Sequence, residues 1–109
     1  MDNHAGLIVE NAERIVLICN SKFCDIFGIP YKPESIIGTD CSQSASLVKH
    51  MFKNPEKFVK DIDKILKDRE PVIAEQLEFT DGRTMRRDYL PIFSGDVYIG
   101  HTWQYYLND

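Results

Sequence analysis

The last third of the chain constrains it most. From residue 72 onward, three runs rich in β-branched and aromatic residues, about 72–80, 83–93 and 97–106, are separated by Asp81-Gly82 and Ser94-Gly95-Asp96. Turn residues of that kind between period-two runs specify hairpins, so the segment is predicted to be a three-stranded antiparallel meander. Successive side chains on a strand point to opposite faces. Ile73, Leu77, Phe79, Met85, Tyr89, His101, Trp103 and Tyr105 therefore share one face, apolar enough to be the covered one. Glu75 and Arg87 share it too, whereas Arg86 and Asp88 are placed toward solvent.

Three-residue loops at Asp81-Gly82-Arg83 and Ser94-Gly95-Asp96 set the expected register. They pair Phe79 with Met85, Leu77 with Arg87 and Glu75 with Tyr89, then Tyr89 with His101, Arg87 with Trp103 and Met85 with Tyr105. Arg87 is thus expected mid-face between Leu77 and Trp103, with Glu75 on the diagonal. A guanidinium cannot shed its charge, so it needs Glu75, a ligand anion or the Trp103 ring. Two readings stay open for it. One is an internal Arg87–Glu75 salt bridge stacked on Trp103, which the nearby carboxylate favours; the other is an anion-binding arginine in a ligand pocket.

Upstream, residues 6–10 and 15–20 are short apolar runs around the polar Asn11-Ala12-Glu13-Arg14 and read as a hairpin. Asn20-Ser21 offers a helix N-cap, Phe23, Ile26 and Phe27 follow at helical spacing, and Gly28 stops the helix. Pro33 and Gly38 bracket one helical turn. Leu47, Val48, Met51 and Phe52 mark a short amphipathic helix within 42–53. Asn54-Pro55 opens another, to about residue 69, in which Phe58, Ile62, Ile65 and Leu66 form the apolar stripe. Lys57/Asp61, Asp63/Lys67 and Lys64/Asp68 pair on its wet side. Two strands, four short helices and three strands describe an α+β domain, an antiparallel sheet covered by helices on one face.

A chain of 109 residues suits a single domain, 1–109, with one core. Its formal charge of -4 weighs against a nucleic-acid partner, which normally needs a basic field. The apolar run Ile15-Val16-Leu17-Ile18-Cys19 is too short to span a bilayer, and no signal segment opens the chain. Cys19, Cys24 and Cys41 are odd in number and lack a CxxC pair, so a reducing, cytoplasmic setting is expected.

In order along the chain, the strand pair, NSKFCDIFGI (20–29), IIG (36–38), DGR (81–83), RDYLPI (87–92) and GHTWQYY (100–106) resemble a PAS sensor domain. The resemblance covers nearly the whole chain, and it is carried by order and spacing, since no single piece is specific. It implies a five-stranded antiparallel sheet in the order 2-1-5-4-3, with the helices as a pocket wall. It also implies a place upstream of a histidine kinase, diguanylate cyclase or similar output. Such domains usually end in Asp-Ile-Thr, where the output linker starts; Leu107-Asn108-Asp109 stand there instead. Fold alone leaves the ligand open, since PAS domains bind haem, flavins, small metabolites or nothing.

Gly38-Thr39-Asp40-Cys41 has the Gly-x-x-Cys spacing of the flavin photoadduct in the family's light-oxygen-voltage branch. Ser42-Gln43-Ser44-Ala45 follows, however, where that branch has Arg-Phe-Leu-Gln, and Tyr105 replaces its Gln. Flavin is therefore not expected. Haem is not expected either, because His50 reads as a helix-surface residue and His4 lies near a chain end. Cys19, Cys24 and scattered histidines do not make a zinc site. The expected pocket residues are Phe58, Ile62, Glu75, Leu77, Arg87, Tyr89, His101, Trp103 and Tyr105. The reading is a sensory domain, not an enzyme, that binds a small molecule and controls a linked output domain. Candidate further partners are a small-molecule anion and a second copy of the chain. Two alternatives remain: a ligand-free interaction module, weakened by Thr102 and Gln104 on the outer face, and a small enzyme. The enzyme would use a Tyr89/His101/Tyr105 acid-base cluster, or Cys24 or Cys41 with His101.

Overall fold

Strands β1 (Gly6–Asn11), β2 (Val16–Cys19), β3 (Val72–Glu78), β4 (Thr84–Ser94) and β5 (Val97–Leu107) pair into one antiparallel sheet in the order β2-β1-β5-β4-β3. The structure is a computed structural model and describes residues 5–108; His4 and Asp109 lie outside them. Because β1 and β5 pair at the centre, β2 and β3 become opposite edges. The chain crosses between them as helices α1 (Ser21–Phe27), α2 (Pro33–Ile36), α3 (Ser44–Val48), a 3-10 turn (Lys49–Met51) and α4 (Pro55–Asp68).

Local chemistry sets the helix ends. Asn20 Oδ1 accepts from Phe23 N at 3.0 Å as the N-cap of α1 and from Leu7 N at 2.9 Å, so one side chain starts the helix and ties it to β1. Gly28 closes α1 in the left-handed region at φ 64°. Asn54 caps α4, and Phe58, Ile62 and Ile65 form its buried stripe, as the spacing requires. The helix expected within 42–53 is shorter. It ends at Val48 and tightens into the 3-10 turn, which leaves Leu47 exposed. Phe52 is extended instead, bridging to Phe79 and stacking on Phe58 with ring centroids 4.0 Å apart.

The inner face carries the expected odd-numbered residues, but both expected registers are off by two. In the first hairpin Phe79 N bonds Arg83 O at 2.9 Å, so the loop is Thr80-Asp81-Gly82, one residue earlier than expected. Leu77 therefore faces Met85, and Glu75 faces Arg87 directly. In the second, Ser94 pairs with Val97 around Gly95-Asp96, and the register shifts again between Ile92 and Phe93. Ile99 is the extra residue, its carbonyl accepting from Ala12 N at 3.0 Å. Tyr89 consequently faces Trp103, Arg87 faces Tyr105 and Met85 faces Leu107. Since each shift is two residues, no side chain changes face.

Two residues nevertheless depart from expectation: Ile73 leaves the covered face, and Asp88 stays on the outer face beside Arg86 but is not solvated. A bulge with Ala74 at φ 60° interrupts β3, and it turns Ile73 out to solvent. Asp88 is not a free surface carboxylate: its Oδ1 accepts from Ala74 N at 2.7 Å, and the residue is mostly buried. That bond satisfies the amide the bulge would otherwise strand.

Candidate ligand site

The inner face is organised in cross-strand rows: Gly6–Tyr105–Arg87–Glu75, then Ile8–Trp103–Tyr89–Val72, then Glu10–His101–Pro91. Between its β1–β5 part and the helices lies a cavity of roughly 200 Å³. Ile8, Val16, Phe23, Phe27, Ile36 and Val48 give it apolar walls; Phe58, Ile62, Trp103 and Tyr105 also line it, and Glu10, Arg14 and Cys41 form a polar end.

Glu10 is the centre of that end and is only 2% exposed. Its Oε1 accepts from Arg14 Nε at 2.6 Å and from His101 Nε2 at 2.5 Å. Its Oε2 receives the Cys41 thiol at 3.2 Å. Burial works against the charged carboxylate, but the His101 hydrogen bond and the Arg14 charge outweigh it and hold Glu10 below its ordinary range. His101 continues the cluster: its Nε2 meets Glu10 Oε1, and its Nδ1 hydrogen-bonds Tyr98 OH. Tyr98 OH and Tyr89 OH share a further hydrogen bond at 3.4 Å. Burial and that bond push the Tyr89 hydroxyl up. A polar chain thus runs from the cavity, behind Trp103, to half-buried Tyr98, whose ring lies under Arg69 at 4.4 Å.

Backbone geometry makes this cluster. Arg14 takes a left-handed conformation, φ 69°, in a turn held by Asn11 Oδ1, which accepts from Glu13 N and Ile15 N. Cys41 N bonds Arg14 O at 2.9 Å, which brings the thiol beneath the β1–β2 turn. Gly100, paired with Asn11, lets β1 and β5 close up, since a Cβ there would sit 2.3 Å from Glu10 O.

The expected pocket residues separate into distinct environments. Phe58, Ile62, Trp103 and Tyr105 line the cavity. Glu75 and Leu77, again with Phe58, line an open groove of roughly 250 Å³ between α4 and the β3 edge. Tyr89 and His101 lie in the polar chain behind the cavity. Arg87 is fully buried and gives Nε to Glu75 Oε1 at 2.8 Å. Its NH2 is 2.6 Å from the same oxygen at an angle too poor for a hydrogen bond, and NH1 has no hydrogen-bond partner among the described residues. The guanidinium lies 5.2 Å from the Trp103 ring and 5.5 Å from that of Phe58.

The candidate catalytic groups do not assemble. Tyr105 sits in a different row from His101 and packs on Phe23 and Phe27. Burial pushes its hydroxyl up to about 12, against the opposing charge of Arg87. Cys41 reaches His101 only through Glu10, and burial plus that carboxylate push its thiol up to about 12, which makes it a poor nucleophile. Cys24, within α1, is buried beside Cys19, and burial raises its pKa as well. His50 is exposed. Among the described residues no group of His, Cys, Asp and Glu could hold a metal ion, and no helix is long and apolar enough to cross a membrane. Glu10, Arg14 and Tyr98 were not among the expected site residues. A charged residue in an apolar run, Glu10 after Leu7-Ile8-Val9, was the signal for the first.

Fold and site together are an antiparallel sheet with one face roofed by short helices around a small cavity. The family model described as "PAS domain" matches residues 4–89, and the chain belongs to that family. No curated protein sequence matches it. Among solved structures it is similar to the PAS domain from Bordetella pertussis BvgS, at 18% identity and TM-score 0.67, covering 96% of this chain and 77% of that one. It is similar to a sensory box sensor histidine kinase from Vibrio cholerae, at 12% identity and TM-score 0.69, covering 96% and 82%. A domain of the putative light and redox sensing histidine kinase from Haloarcula marismortui gives 15% identity and TM-score 0.68, covering 98% and 91%.

Proposed function

We propose that this PAS domain is a cytoplasmic small-molecule sensor that regulates a covalently linked output such as a histidine kinase or a diguanylate cyclase. The observation that carries the reading is the cavity between helices and sheet, ending on the Glu10 cluster. His101 hangs on the same β5 that leads to the chain's C-terminal side. There Asn108 N bonds Thr84 O at 3.0 Å, and Asn108 Nδ2 reaches Thr84 Oγ1 at 2.8 Å. A ligand that shifts Glu10 therefore acts on β5 and on the exit it shares with β4, biasing one conformational equilibrium. Amide spectra titrated with a small-fragment library test this. Shifts spreading from residues 8–16 along β5 to Leu107 are expected, and shifts confined to the surface would refute it.

The domain is read as free of flavin and haem. A cavity of roughly 200 Å³ is smaller than a typical cofactor pocket, and the Cys41 thiol is committed to Glu10. The purified protein should then absorb nothing above the aromatic region, and a stoichiometric visible band would overturn this.

A second reading, a protein-interaction module, is favoured by one observation. Ile18 and Leu90, with Ile92, Phe93, Val97 and Ile99 of the β4–β5 hairpin, are exposed, so Thr102 and Gln104 do not make the outer side polar. Light scattering across concentration tests it, since a homodimer through these residues would dissociate on Leu90→Lys.

A further inference from the structure

We propose that the cavity selects an uncharged, mainly apolar molecule carrying one N–H or O–H donor, with the size and polarity of a phenol or an indole, and that Glu10 Oε2 accepts this donor. The inference rests on the reading of the cavity as the sensor site and gives that site a ligand class. Size comes first. An apolar cavity of about 150 Å³ takes up benzene, so roughly 200 Å³ suits a ring with a substituent or a small bicycle.

Charge comes next. The Glu10 carboxylate is balanced by Arg14, whose Nε it holds at 2.6 Å. An anionic ligand would lie against Glu10, with Asp40 also at the rim, and a cationic one against Arg14. Only an uncharged ligand leaves the pair balanced in a low-dielectric site.

Hydrogen-bonding capacity then gives the polarity. Glu10 Oε1 already takes two N–H donors, whereas Oε2 is served by a thiol alone, a weak donor at 3.2 Å. The hydroxyls at this end cannot donate to a ligand. Thr39 Oγ1 donates to Ile36 O at 2.6 Å, and Ser44 Oγ donates to Cys41 O at 2.8 Å. Both oxygens remain acceptors. The polar end therefore offers acceptors at Glu10 Oε2, Thr39 and Ser44 beside the Arg14 guanidinium, of which Glu10 takes only Nε, and a ligand that only accepts, such as a ketone or ester, would leave Oε2 with the thiol alone.

The test compares near-isosteric probes on the wild-type domain by amide-shift titration: phenol against toluene, indole against benzothiophene, and benzoate as the anion. Phenol should bind roughly tenfold or more tightly than toluene, as a hydrogen bond to a charged acceptor provides. Amides of residues 10, 41 and 101 should move together. In Glu10→Gln that preference should collapse while toluene binding stays. Cys41→Ser is a second arm that does not remove the carboxylate. Its hydroxyl donates to Oε2 more strongly than the thiol, so phenol should weaken and toluene should not. Equal binding of phenol and toluene, or a preference for benzoate, would overturn this inference and leave the sensor cavity standing. If no probe binds at millimolar concentration, the sensor-cavity reading itself fails, and the inference with it.

Discussion

Removing Glu75 should destabilise this protein more than removing Arg87, although Arg87 is the more deeply buried of the two. The asymmetry follows from exposure: the Arg87 side chain is 0% exposed and that of Glu75 20%. In Glu75→Ala the guanidinium keeps its charge, loses the only carboxylate paired with it among the described residues and stays out of water, with NH1 and NH2 already lacking hydrogen bonds there. Stranding a buried charge costs about 3–5 kcal/mol. In Arg87→Met the carboxylate left behind can hydrate at the groove, and methionine refills the apolar contact with Trp103 and Phe58. Losing the ring stacking costs about 0.5–2 kcal/mol, so roughly 1–2 kcal/mol is expected overall. Arg87→Met combined with Glu75→Ala should lie close to Arg87→Met alone, a coupling of about 2 kcal/mol or more. Arg86→Met should cost under about 1 kcal/mol, because Arg86 is partly solvated and stacks on Tyr106 on the outer face. Urea denaturation followed by Trp103, the only tryptophan, reports directly on the site. Additive effects, or a mild Glu75→Ala, would refute the internal ion pair and mean that Arg87 takes an anion from elsewhere.

Other consequences can be checked on the same footing. Ile62, on the buried stripe of α4 and lining the cavity, should cost about 2–4 kcal/mol as Ile62→Ala, and a loss under about half a kcal/mol would mean that α4 does not pack as described. The lowered pKa of Glu10 stabilises the fold above its ordinary value of 4.5, and that contribution is lost as pH falls below 4.5 through the folded-state value. Glu10→Gln should flatten the acid limb of a Tm–pH profile, and an unchanged limb would show that Glu10 is not held this way. Gly100→Ala should force β1 from β5, lowering Tm and abolishing the amide signature of the Glu10–His101 bond, whereas a neutral effect would contradict the close approach at Glu10 O.

Period and punctuation alone determined much of this protein. Alternation put Met85, Arg87, Tyr89, His101, Trp103 and Tyr105 on one face, and that assignment survived two register errors because a shift of two residues preserves parity. The caps at Asn20, Gly28 and Asn54, and the stripe of α4, are local hydrogen-bonding and periodicity effects, so they too were legible. Partners across strands were not. Which residue faces Arg87 depends on where a three-residue loop closes and on the bulge at Ile99, differences of one residue that turn composition does not resolve. The polar end of the cavity was further out of reach. Glu10 and His101 are 91 residues apart and meet because the first and last strands pair at the sheet centre. Cys41 joins them through backbone bonds to the β1–β2 turn. Each residue is ordinary in its own segment. Only closure of the sheet takes the carboxylate out of water and supplies the donors that keep it charged.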